Sequence, residues 1–387
     1  METFTFQNPT KLIFGKGMIA QLAKEIPAEA KVMVTFGGGS VKSNGVYEQV
    51  KSALSTIPHI EFWGIEANPQ VETLRKAIEI GKKEGVNFLL AVGGGSVIDG
   101  TKLIAGGLLI EEDAWTLVNT YIAKSVPLAT VLTIPATGSE MNGNGVISNG
   151  ETKEKFAFVG KCPVFSILDP EVTFSLPKHQ IACGIADTFI HVMEQYMTCP
   201  VSQSRLMDRW AEGILTSLIE IAPQIMEDPT NYDLMSDFML CSTMALNGFI
   251  SLGVRQDWCT HMIGHEITAL HGLTHGESLA IVYPATMRVL LQKKRAKLNR
   301  FGEHVWGITV GTLDHRAQTA ADKTEEFFRS LGLRTRLEEA GIGDDTIEEI
   351  VRRFNERNVA FGEDADVTGE VARKILQTCK NSIVKGA

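Results

Sequence analysis

The N-terminus, Met1-Glu2-Thr3-Phe4-Thr5-Phe6, lacks the basic start and apolar core of an export signal, so secretion is not expected. Nor does any apolar run approach the roughly 20 residues that cross a bilayer. Residues 103 to 110 come closest in texture and are interrupted by Gly106 and Gly107, so no membrane span is expected. Basic residues are in deficit: 37 Lys and Arg stand against 46 Asp and Glu, for a net charge of -9, and no long basic block occurs. A nucleic-acid backbone would meet an unfavourable field, so no nucleic-acid partner is expected. Cysteine is sparse: Cys162, Cys183, Cys199, Cys241, Cys259 and Cys379 are scattered without a Cys-x-x-Cys pair. That excludes a disulfide scaffold and points to reduced thiols in a cytoplasmic protein.

What remains is 387 residues, 44% apolar and 21% charged, enough to fold throughout as two domains with sizeable cores. From residue 11 to about 170, short β-rich apolar runs end at glycine or proline and alternate with segments of helical period. Runs at 31–36, 87–92 and 128–134 read as strands; residues 70–84 read as a helix covering a sheet, which implies parallel pairing. After Asp169-Pro170 the segments 180–196, 202–225, 231–250, 256–270, 278–293, 317–331 and 345–355 take helical spacing. The expected organisation is an α/β domain over residues 1–177 and a helical domain over 178–387, the break marked by Pro170 and Pro177.

Each strand-like run leads into small or hydroxyl residues: Gly37-Gly38-Gly39-Ser40, Gly93-Gly94-Gly95-Ser96 and Pro135-Ala136-Thr137-Gly138-Ser139-Glu140. In open α/β sheets ligands bind beyond the carboxyl ends of strands, so three such loops can converge on one site. Gly93 to Ser96, placed between a strand and a helix, offers backbone amides, a hydroxyl and unpaired helix N–H groups to a pyrophosphate; taken alone, it is equally a tight turn. Asp99 follows one turn into that helix. Neither loop has the Gly-x-Gly-x-x-Gly spacing, and no Lys-Ser/Thr follows as in an ATP-binding loop. Phe36-Gly37 supplies no carboxylate for a ribose 2′-hydroxyl, whereas Gly38, Gly39, Ser40 and Lys42 could accept a 2′-phosphate, so NADP(H) is expected over NAD(H).

The second half carries Asp187 and His191, one helical turn apart, and four of the nine histidines in a short block: His261, His265, His271 and His275. One carboxylate with three imidazoles suits Zn²⁺ or Fe²⁺ with a position left for water or substrate, and suits Ca²⁺ poorly. Spacing alone leaves open which of the four histidines join Asp187 and His191. Cys183 reads as a buried structural thiol.

These residues carry a resemblance. With Phe14-Gly15-Lys16-Gly17, the stretch from Gly93 to Asp99, the Pro135 to Glu140 motif, the Asp187/His191 pair and the His261 to His275 block, the chain resembles the iron-containing, or group III, alcohol dehydrogenases. Within them it is most similar to the NADPH-dependent aldehyde reductase and butanol dehydrogenase branch. Where the broader family commonly has Pro-His-Gly, this chain has Thr274-His275-Gly276.

The resemblance implies a dehydroquinate synthase-like architecture, an α/β dinucleotide-binding domain followed by an all-α metal-binding and substrate domain, with cofactor and metal facing one another. It implies Asp187, His191, His261 and His275 as metal ligands, and His265 as a non-ligand beside nicotinamide and substrate, available for proton transfer. It places Gly94, Gly95, Ser96 and Asp99 at pyrophosphate and nicotinamide ribose, continued by Thr137 and Ser139. Gly38, Gly39 and Ser40 fall at the 2′-phosphate, and Lys155 at ribose or phosphate unless it is a solvated charge. The implied reaction moves hydride between NADP(H) and a small aldehyde or alcohol on a homodimer, and a dehydroquinate synthase-like lyase is the rival on the same fold.

Overall fold

Val32, Met33, Val34, Thr35 and Phe36 are all buried, as are Phe88–Gly93 and Leu128–Leu132 in the next two apolar runs. Continuous apolar strands without alternation are the mark of a parallel sheet covered on both faces. A computed structural model bears this out; it describes residues 1–198, 200 and 204–380, so Cys199 lies outside the described residues.

The strands are β1 (Lys11–Phe14), β2 (Val32–Phe36), β3 (His59–Phe62), β4 (Phe88–Gly93), β5 (Leu128–Leu132), β6 (Asn144–Asn149), β7 (Glu154–Val159) and β8 (Phe165–Leu168). One sheet runs in the order β1-β8-β5-β4-β2-β3, every pairing parallel, and β6 and β7 form a separate antiparallel pair. Side chains of β2 alternate between two cores. Val32, Val34 and Phe36 pack with Val46 and Val50 of the Val46–Ala53 helix. Met33 packs with Leu74 and Ala77 of the Val71–Glu84 helix and with Ile104 of the Gly95–Gly107 helix. Thr35 and Thr101 join their hydroxyls at 2.6 Å, tying the sheet to the helix that follows the second glycine loop.

By compactness the chain divides into two units. One takes Gln7–Pro177 and Asp228–Asn247; the other takes Met1–Phe6, Lys178–Glu227 and the chain from Gly248 onward. The Tyr232–Ala245 helix, which the helical spacing of 231–250 groups with the second half, therefore belongs with the sheet. The cause is polar: Thr243 donates to buried Glu140 at 2.6 Å, and Asn142 donates to the Leu246 carbonyl at 3.0 Å.

In the other unit the Lys178–Tyr196 helix is buried continuously from Ile181 to Tyr196, as expected of a central helix. Cys259, Ile263 and Ile267 of the Cys259–His271 helix and Ile281, Val282 and Ala285 of the His275–Val289 helix share a core with Ile350, Phe354 and Ile375. The expected 278–293 segment is in fact two helices meeting at Leu290, the second being Leu291–Trp306. Among the described residues no helix is long and apolar enough to cross a membrane.

Candidate active site

On the buried Lys178–Tyr196 helix the ionisable residues Asp187, His191 and Glu194 stand at i, i+4 and i+7, forming one stripe along a largely apolar cylinder. Buried charge must find partners, and this stripe finds histidines. Asp187 Oδ1 lies 3.6 Å from His191 Nδ1, 3.7 Å from His261 Nε2 and 3.8 Å from His275 Nε2. These separations are too long for hydrogen bonds. They are close to the roughly 3.4 Å that separates ligand atoms about 2.1 Å from a tetrahedral cation. Asp187 Oδ1 and His261 Nε2 are both buried without a hydrogen-bond partner among the described residues. Ligand atoms of Asp187, His191 and His261 all lie within 4.8 Å of one another, and His275 Nε2 stands 3.8 Å from the same carboxylate oxygen; a carboxylate with imidazoles around it fits a borderline divalent metal such as Zn²⁺ or Fe²⁺. Burial opposes charge on His261, but the Glu194 and Asp187 carboxylates outweigh it and lift its pKa to about 9, so the centre calls for positive charge.

His275 opens its helix directly after Thr274, and the next residue has to be glycine: a Cβ at Gly276 would lie 2.1 Å from the Cys183 carbonyl oxygen. The helix bearing His275 thus meets the helix bearing Asp187 and His191 backbone against backbone. His265 is buried, its ring centroid 5.1 Å from that of His275. His271 is exposed at its helix end and bonds Thr346 Oγ1 at 2.8 Å, which gives it a surface structural role.

The strand-end loops of the sheet unit also come together. A Cβ on Gly95 would lie 2.4 Å from Thr137 Oγ1, so the loops after β4 and β5 touch at this glycine; a Cβ on Gly37 would stand 3.4 Å from Val97, which brings in the loop after β2. Ser139 donates to Asp99 at 2.5 Å and the Val146 amide donates to its other oxygen at 3.0 Å. Burial raises the Asp99 pKa against the pull of Lys102 and these donors. Ser96 Oγ accepts from the Asn68 amide at 3.3 Å, and Lys155 Nζ donates to Asn68 Oδ1 at 2.8 Å. Lys155 is buried on β7, not a solvated charge. Gly94 is the N-cap of the helix that follows. Gly38 and Ser40 are exposed beyond β2, and Gly39 adopts φ 106°. Nearby, Lys42 Nζ sits 4.0 Å over the Trp63 ring, itself stacked on Phe36 at 4.0 Å.

Comparison with known proteins decides the family. The description "Iron-containing alcohol dehydrogenase" matches residues 9–170, and "Fe-containing alcohol dehydrogenase family, C-terminal" matches residues 181–379. The chain belongs to the iron-containing alcohol dehydrogenase family. It is 45% identical to the NADPH-dependent aldehyde reductase YqhD of Escherichia coli K12, over 98% of this chain and 100% of that one. It is 40% identical to a probable NADH-dependent butanol dehydrogenase of Bacillus subtilis, over 97% and 99%. Among solved structures, E. coli YqhD superposes with a TM-score of 0.95, covering 98% of this chain and 99% of that one at 45% identity. An NADH-dependent butanol dehydrogenase from Thermotoga maritima superposes at 0.94, covering 98% and 99% at 35% identity.

This alcohol dehydrogenase is therefore a hydride-transferring oxidoreductase on the expected fold, and three of its polar residues escaped sequence reasoning. Lys102, almost wholly buried, donates to Ser139 Oγ at 2.7 Å, Asn142 Oδ1 at 3.2 Å and the Asn144 carbonyl at 2.6 Å; burial lowers its pKa to about 8 although Asp99 pulls the other way. Asn68, at φ 60°, links Ser96 to Lys155. Glu194 contacts His261, a member of the candidate metal site. The i+7 spacing from Asp187 was the signal that could have found it.

Three large aromatic residues take different places. Phe189 is core, surrounded by Phe301, Phe327 and Phe328. Trp115 packs against Phe156. Trp258, at the unusual φ of 62°, lies edge-on to His261 and His191 with ring centroids at 5.1 and 6.1 Å. Cys183 is buried and its pKa is pushed up to about 12 by burial and by Glu277 and Asp187, which makes it an inert thiol.

Proposed function

We propose that this enzyme is an aldehyde reductase that prefers NADPH to NADH and acts on small, weakly polar aldehydes, the reverse alcohol oxidation being available to the same site. The observation that carries the reading is the grouping of Asp187, His191 and His261, with His275 Nε2 3.8 Å from the same carboxylate and Asp187 Oδ1 buried with no hydrogen-bond partner among the described residues. These four side chains would hold one Fe²⁺ or Zn²⁺. When bound, the cation supplies Lewis-acid stabilisation to the oxygen on which charge develops, and reduced nicotinamide supplies the hydride.

The chain's residues do the rest. Asp187 is the single anion in the ligand set, so the set neutralises only half of a divalent charge and leaves the centre electrophilic. His265, buried beside His275, is assigned to proton delivery. Gly94, Gly95 and Ser96 present amides and a hydroxyl to the pyrophosphate, with Thr137 shaping the adjoining wall. Asp99, held by Ser139 and the Val146 amide, is assigned to the nicotinamide ribose, and Lys155 to ribose or phosphate. The relatives divide between NADPH and NADH in their names, so preference rests on the end of β2. There Phe36-Gly37 offers no carboxylate, and exposed Gly38 and Ser40 with half-buried Gly39 leave room for a 2′-phosphate. The reading extends to a homodimer in the cytoplasm, where reduced dinucleotide is supplied and where the described cysteines stay as free thiols.

The test is the initial rate of NADPH and NADH oxidation with butanal, using chelator-treated protein before and after anaerobic addition of Fe²⁺ or Zn²⁺. Metal-restored turnover that is faster with NADPH is the expected result. Failure across short and long aldehydes with either metal would overturn the reading.

A further inference from the structure

The Cys259–His271 helix begins at Trp258, whose side chain makes no capping bond; Asp257 Oδ1 accepts from the Cys259 amide at 3.0 Å, and the next two amides need another acceptor. Glu194 supplies it. The Thr260 amide donates to Glu194 Oε1 at 2.6 Å and the His261 amide to Oε2 at 3.3 Å. The same Oε2 accepts from the ring Nδ1 of His261. Glu194 is almost fully buried and lies on the same helical stripe as Asp187 and His191. One carboxylate therefore grips both the backbone and the ring of His261, and the opposite ring nitrogen, Nε2, is the one that faces Asp187.

We propose that Glu194 is a positioning residue for the metal centre: by accepting the Nδ1 proton it fixes the His261 tautomer and ring plane so that Nε2 presents its lone pair to the cation. This rests on reading His261 as a ligand. The physical requirement is general, since a ligating imidazole needs its second nitrogen held by an acceptor to keep the first one unprotonated. Glutamine cannot replace this carboxylate. It has one acceptor oxygen for donors on both sides, so either the helix amide or the ring Nδ1–H meets an N–H group.

The experiment is a double-mutant cycle on the full-length protein, reading Zn²⁺ affinity by chelator competition, together with the thermal midpoint of the metal-free protein. Glu194→Gln is expected to weaken Zn²⁺ binding by about 10- to 100-fold. It is expected to have no further effect on affinity in a His261→Ala background, because its influence passes through that ring. Unchanged affinity in Glu194→Gln, or an equal loss in both backgrounds, overturns the proposal and leaves Glu194 as a helix cap alone. Unchanged affinity in His261→Ala by itself overturns the ligand reading instead, so the two failures are distinguishable. If the Gln variant gives no folded metal-free protein, Glu194→Asp, which keeps the charge but withdraws it from the ring, is carried through the same cycle with the same two outcomes.

Discussion

The two sites of this alcohol dehydrogenase are built from different material. In the sheet unit the candidate cofactor site is made largely of main chain: the loops beyond β4 and β5 approach so closely that a methyl group on Gly95 would collide with Thr137. In the helical unit the site is made of side chains projected from helices, Asp187 and His191 from one, His261 from a second and His275 from the start of a third. A main-chain site tolerates many side chains around it and fails when a glycine gains a Cβ. A side-chain site fails when one residue is truncated.

The largest effect should come from truncating a ligand. His275→Ala is expected to lose most bound metal and, since a catalytic metal supplies several kcal/mol of transition-state stabilisation, to lower turnover by about three orders of magnitude while still binding NADPH. Metal analysis and NADPH titration of the same preparation check it; normal metal content with full activity would refute the ligand assignment. The complementary break is Gly95→Ala, expected to weaken NADPH binding by about tenfold or more through overpacking and to leave metal content untouched. Loss of both together would mean that the sites do not fail separately.

A finer probe is Gly38→Asp, at an exposed position where a Cβ meets nothing within 4 Å. Placing a carboxylate where the 2′-phosphate is assigned should shift kcat/KM preference towards NADH by about tenfold, from a like-charge repulsion on the order of 1 kcal/mol. Equal effects on both cofactors would remove the argument from the end of β2.

A further effect concerns stability. Lys102 has its pKa lowered by burial from 10.5 to about 8 in the folded enzyme. Between those values the unfolded chain keeps a proton that the folded chain has released, so this group makes folding more favourable as pH rises through that window, by on the order of 3 kcal/mol at most. Denaturant midpoints measured across the window should rise relative to those of Lys102→Met; parallel curves would show that Lys102 keeps an ordinary pKa.

Much of this was legible in the sequence, for reasons the structure makes plain. Residues 31–36 and 87–92 are visible as strands because both sheet faces are covered, and His261 to His275 stands out because histidine has few other reasons to cluster. The Leu291–Trp306 helix was hidden because its inward face carries charge: Lys294 meets Asp257 at 3.0 Å and Lys297 pairs with Asp208, both lysines buried. Hydrophobic periodicity cannot register a face held by ion pairs. Lys102 and Glu194 were missed likewise, since each reads as an ordinary polar residue of a helix until its partners, distant in sequence, are brought beside it. Asn68 needed its left-handed backbone to be seen.

The contact of Gly276 with the Cys183 carbonyl bears on how the enzyme exchanges its metal. Two of the helices that carry the proposed ligands are spaced by abutting main chain, which side-chain rotation cannot relax, so the distance from His275 to Asp187 should persist after an ion is withdrawn. Stripping and reloading should then be reversible without refolding. Which ion occupies the centre in the cell would follow from the ions present as the chain folds and from how slowly the first one leaves.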